Sequence, residues 1–174
     1  MKTPIYILFL CLMVVMTSCS QPHGVTENNE FPPIYPDYTE VTIPVNIAPL
    51  NFMVRQADRL QVVIASNGKT IKLKGRNRIL IPAGKWRRIL AQASTGPGRI
   101  RVEVTAKEDG LWTRYAPFNI YITPETVDPY LSYRLIEPGY EVWKSLQLAE
   151  RNVETFRERI IADNSLTDNS CMNC

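Results

Sequence analysis

Two cysteines three apart, Cys171 and Cys174, are the residues of this chain best suited to chemistry. That spacing serves metal binding, disulfide redox exchange or covalent haem attachment, and each needs a further group. Haem attachment adds the two thiols to the haem vinyl groups and uses an adjacent His as iron ligand, in the pattern Cys-x-x-Cys-His. Here the sequence stops at Cys174. Zinc needs two more ligands, and the chain has one histidine, His23. A redox pair wants a helix after its first cysteine and a βαβ setting, and neither is legible. Thiol–disulfide exchange therefore ranks last. A lone histidine near the start also rules out a Ser-His-Asp triad in the body of the chain. With no carboxylate pair, phosphate loop or nucleophile motif, the expectation is a protein that is not an enzyme.

The third informative cysteine is Cys19. Lys2 gives a positive start, and Ile5 to Met16 is an unbroken apolar run. The run is short for a membrane span of about 20 residues and right for a signal-peptide core. It ends in Met16-Thr17-Ser18-Cys19, which resembles a bacterial lipobox, so residues 1–18 read as a lipoprotein signal peptide and Cys19 as the lipidated new N-terminus. The alternative is ordinary cleavage near Ser18 with a free Cys19. Lipid on Cys19 would be the membrane anchor, because no other stretch could span a bilayer. In an exported, oxidising compartment Cys171 and Cys174 would not stay an idle reduced pair.

The elements that follow must position whatever the chain displays. Residues 19–37 are polar and proline-bearing and read as an extended tether, with His23 solvated in it. From 38 to 124 short alternating segments recur. Val41, Ile43 and Val45 form one, with Pro44 marking an edge. Phe52-Met53-Val54 is another, and Leu60 to Ser66 a third. Asn67-Gly68 accepts positive φ at both positions and predicts a type I′ hairpin into the strand carrying Ile71 and Leu73. Ile79-Leu80-Ile81 is a further strand. Trp86, Ile89, Leu90 and Ala93, at i, i+3, i+4 and i+7, predict one amphipathic helix. Ile100, Val102 and Val104 alternate again, Asp109-Gly110 offers a second hairpin, and Phe118, Ile120 and Ile122 close the series. The expected fold is mostly β: an immunoglobulin-like β-sandwich, in architecture only because the Cys…Trp…Cys pattern is missing.

Residues 125–170 read as an aromatic strap and a helix. Tyr130, Tyr133, Tyr140 and Trp143 crowd a segment broken by Pro129 and Pro138-Gly139. Val153, Phe156, Ile160 and Ile161, at i, i+3, i+7 and i+8, predict a C-terminal amphipathic helix with Asn152 as N-cap and with Arg157 and Arg159 toward its C-terminal half.

A net charge of +3 over 174 residues is mild and asks for no nucleic acid. Lys69, Lys72, Lys74, Arg76 and Arg78 nevertheless form a basic run, joined by Lys85, Arg87, Arg88, Arg99 and Arg101. It would suit anionic lipid headgroups or an acidic partner; equally, lysines can simply solvate strands and guard an edge.

The segment from Phe31 to Leu50, FPPIYPDYTEVTIPVNIAPL, the segment from Tyr130 to Trp143, YLSYRLIEPGYEVW, and the closing CMNC together resemble a family of lipoproteins from Bacteroidetes. The resemblance covers nearly the whole mature chain. In that family the closing cysteines are followed by His, making a haem c signature at residues 171–174, and then by a TolB-like β-propeller. The resemblance implies that Cys171 and Cys174 stand at the haem thioether positions, the iron ligand and the propeller lying outside this sequence. It implies no cofactor for the chain as it stands and haem c in a longer version. The expected function is a lipid-anchored, periplasm-facing interaction or structural module at the outer membrane, the N-terminal fragment of a haem-containing lipoprotein, with an unidentified protein partner. The alternative is electron transfer through haem on Cys171 and Cys174.

Overall fold

The computed structural model describes residues 24–96, 98–136 and 146–170. The fold is mostly β. Strands β1 (Val25–Glu27), β2 (Thr42–Pro44), β3 (Phe52–Met53), β4 (Arg59–Ser66), β5 (Lys69–Gly75) and β6 (Arg78–Ile79) precede the helix α1 (Ala83–Ser94). Strands β7 (Arg99–Glu108), β8 (Leu111–Arg114), β9 (Phe118–Thr123), β10 (Tyr130–Ile136), β11 (Leu146–Asn152) and β12 (Glu158–Asp163) follow.

The main sheet grows from two hairpins. Asn67 (φ 42°) and Gly68 (φ 75°) turn β4 into β5 through a two-residue loop closed by the pair Ser66 and Lys69. Asp109 (φ 48°) and Gly110 (φ 85°) do the same between β7 and β8. Strand β7 pairs with β4 on one side. On its other side β8 and β9 share it end to end, Thr105 facing Arg114 and Val102 facing Phe118. The Tyr115 N–H still donates to the Val104 carbonyl between them, so β8 and β9 are one strand with an irregular middle. Against its outer edge lie β1 and β2, both parallel: Val25 opposite Trp112, and Thr42 opposite Tyr121.

One face of this sheet is dry. Leu60, Val62 and Ile64 of β4, Ile100, Val102 and Val104 of β7, and Phe118 and Ile120 of β9 are buried. The strict alternation with half-exposed neighbours is what a sheet covered on one side requires. What covers it is α1, through Trp86, Ile89, Leu90 and Ala93, together with the antiparallel β3–β6 ribbon. The second sheet of an immunoglobulin-like sandwich is thus replaced here by a helix and a ribbon. The Trp86 indole N–H, buried with its ring, donates to the Ile47 carbonyl at 3.0 Å, so the largest core side chain leaves no polar atom unpaired.

Two expectations are corrected. From Val25 the residues read as tether join the domain: β1 pairs with β8, the Asn28 N–H reaches Arg114 O (2.8 Å), Ala116 N–H reaches Glu30 O (2.9 Å), and Ile34 is buried. The prolines there suit an edge with few ladder bonds rather than a free spacer. Nor do residues 153–161 form the expected amphipathic helix. Residues 153–157 form a turn and Glu158–Asp163 a strand, and β10, β11 and β12 make a small antiparallel sheet where a strap and a helix were expected. Asn152 does act as a cap, its Oδ1 accepting from the N–H groups of Glu154 (3.1 Å) and Thr155 (3.0 Å). The turn then closes after one round: the Phe156 N–H meets Asn152 O at 2.7 Å and Phe156 takes the left-handed region at φ 58°, the signature of a helix end. Isoleucines 160 and 161 are β-branched and favour the strand that follows. Arg159 pairs with Glu150 across the sheet at 2.8 Å instead of meeting a helix terminus. Tyr130 and Tyr133 belong to β10; Tyr140, Trp143 and Pro138-Gly139 lie outside the described residues.

Candidate binding groove

Strand β5 ends the main sheet, so its outer edge has no ladder partner among the described residues. The amphipathic spacing of α1 turns Trp86, Ile89 and Leu90 inward. It leaves Lys85, Arg88 and Gln92, at i, i+3 and i+7, as one stripe along the helix flank that faces β5. Between flank and edge runs a groove of about 500 Å³. Lys69 and Lys72 border it from the strand, Lys85 and Arg88 from the helix, and Ile71 and Ile89 contribute its apolar floor.

A basin of about 560 Å³ on the opposite, wet face of the sheet is larger, but its charges are spent internally. Arg101 meets Glu103 at 3.1 Å and Arg114 meets Glu27 at 2.8 Å. No carboxylate among the described residues pairs with Lys69, Lys72, Lys85 or Arg88. Four uncompensated cations around an apolar floor concentrate anions; a basin of paired charges does not. The groove is therefore the stronger candidate.

Of the basic residues singled out from the sequence, the structure brings these four together. Arg101 goes to the wet face, and Arg78 to a shallow dip beside Tyr35 and Leu80. Lys74, Arg76, Arg87 and Arg99 are exposed. A signal for the groove was present in the sequence and is missed by counting cations alone. Between Arg59 and Val102 there are eleven Lys and Arg and no Asp or Glu; all 17 carboxylates of the chain lie outside that block.

Polar side chains elsewhere serve the joints of the fold. The Glu40 carboxylate accepts from the Asn119 N–H (2.7 Å) and the Tyr121 hydroxyl (2.8 Å), fastening the entry of β2 to β9. The Asn119 N–H, then the Tyr121 hydroxyl, hold the Glu40 carboxyl below its ordinary value, and the same carboxylate raises the Tyr121 phenol. In the small sheet the Tyr133 hydroxyl donates to Glu158, which raises the phenol likewise.

The residues expected to carry chemistry, Cys19, Cys171 and Cys174, lie outside the described residues, as does His23. Among the described residues no three His, Cys, Asp or Glu side chains gather as a ligand set, and no helix is long and apolar enough to cross a membrane. No protein family, curated protein or solved structure matches this chain.

Proposed function

We propose that this chain is a non-enzymatic interaction module held by lipid on Cys19 at a membrane, facing the periplasm, and that it forms the N-terminal part of a TolB-like, haem-bearing lipoprotein. The observation that carries the reading is the apolar run Ile5 to Met16 ending at once in Met16-Thr17-Ser18-Cys19. Strand β1 begins at Val25, six residues beyond Cys19, a reach of at most about 20 Å. A lipid on Cys19 would thus hold the β domain close above the headgroups and restrict the partners it meets. Membrane fractionation tests the anchor. Cys19→Ala should move the protein from the membrane fraction to the soluble periplasm; unchanged membrane association would overturn the anchoring.

The spacing of Cys171 and Cys174 favours a second reading, electron transfer by covalently attached haem. A Soret band in protein purified from cells with active haem-attachment machinery would establish it. Its absence under those conditions would leave the interaction module alone.

A further inference from the structure

We propose that the groove between β5 and α1 receives an extended acidic segment of a partner protein, which adds to β5 as a further strand. The proposal rests on reading the chain as an interaction module and names the partner's chemistry.

Three features converge on it. The outer edge of β5 offers backbone N–H and C=O groups that only another extended chain can pair in register. Lysines on an edge strand are a common guard against unwanted pairing, and that would account for Lys69 and Lys72. It gives no reason for Lys85 and Arg88 to line the same groove from the helix. Cations on both walls select for charge rather than merely repel, because they favour an acidic strand over a neutral or basic one. Finally, Ile71 and Ile89 close the floor of the groove from the core, and Ala91, exposed on the helix, leaves apolar surface where the alternate side chains of an added strand would point. The absence of any Asp or Glu from Arg59 to Val102 keeps this part of the surface free of internal competitors for the cations.

An anionic membrane surface would meet the same charges, but it has no use for an open strand edge. A second copy of this chain would have to offer an acidic strand. Its outer strand β12, Glu158-Arg159-Ile160-Ile161-Ala162-Asp163, carries one Arg against two carboxylates and fits less well.

The test uses the full chain carrying Cys19→Ala, so that no lipid intervenes. The probe is a fluorescein-labelled seven-residue peptide, matched to β5 in length, alternating Glu and Val. Fluorescence anisotropy should show saturable binding that weakens with added salt. Lys85→Glu with Arg88→Glu should weaken it at least about tenfold. Both side chains are exposed, and an unchanged melting transition would verify the fold of the double variant. A peptide with alternate backbone amides N-methylated, or with Lys in place of Glu, should not bind. Equal binding of the methylated peptide would overturn strand addition. So would the absence of peptide binding, whether the protein then binds phosphatidylglycerol vesicles, self-associates in a way that the double variant abolishes, or does neither. An absent peptide signal leaves the fractionation result for Cys19→Ala standing, so the two readings fail separately.

Discussion

The main sheet and the small β10–β12 sheet use the same ladders and differ in what lies on them. Along β7 every second residue from Ile100 to Ala106 is buried. Along β12 the isoleucines 160 and 161 are 43% and 51% exposed, and Leu131 of β10 is 57% exposed. The main sheet has a helix and a ribbon pressed on its apolar face. Among the described residues the small sheet buries chiefly Leu146 and Ala149. Hydrogen bonding thus sets the strands in both regions, whereas apolar cover, the dominant favourable term in folding, is concentrated in one. The two are stitched by few bonds. Asn46 exchanges side-chain hydrogen bonds with the backbone of Val127 (2.9 and 3.1 Å), and the Ala48 N–H meets Val153 O at 2.9 Å.

The largest effect should come from removing the cover. Trp86→Ala opens the α1 interface and frees the Ile47 carbonyl, and should cost about 3–5 kcal/mol in urea denaturation. A loss under about 1 kcal/mol would mean that α1 is not what secures the main sheet. Leu146→Ala should come next, at about 2–4 kcal/mol, but felt locally. Hydrogen exchange should show β10–β12 amides losing protection while those of β4 and β7 keep theirs. Equal loss in all of them would make the two sheets one cooperative unit and end the contrast.

The smallest effect belongs to Glu40. Its folded-state value lies below the ordinary 4.5 because the Asn119 N–H and the Tyr121 hydroxyl bind the ionised form. Its stabilisation is therefore complete above 4.5 and disappears as pH falls through the lowered value. Glu40→Gln should be less stable than the parent at neutral pH and converge with it in acid. A difference that persists unchanged below that range would show that ionisation of the carboxylate is not what Glu40 contributes.

Local chemistry made much of the main sheet legible. Asn67-Gly68 and Asp109-Gly110 specify turns because few other pairs accept two positive φ angles. Trp86, Ile89, Leu90 and Ala93 specify a helix because they bury one face against something. Val153, Phe156, Ile160 and Ile161 have helical spacing too, yet form a turn and a strand. Their neighbours in space are β10 and β11, and periodicity cannot register a ladder. The pairing of β1 and β2 with β8 and β9 was hidden for the same reason. The partners are far apart in sequence, and a three-residue edge strand leaves almost no pattern. Each cation of the groove was visible, but which of them share it depends on the seating of α1 against β5. Cys19, Cys171 and Cys174 stood out by type and spacing, and nothing in the described fold bears on them.

The parallel setting of β1 and β2 has a mechanical consequence. Tension applied between the start of the domain and the end of β9 draws those strands lengthwise past β8 and β9 rather than peeling them away. The register pairs from Val25 with Trp112 through Pro44 with Thr123 carry the load together, with the Glu27–Arg114 ion pair at 2.8 Å across the seam. Loaded in shear, such a seam resists until many bonds yield at once. A domain tethered by its front end would transmit a pull into its sheet before coming undone.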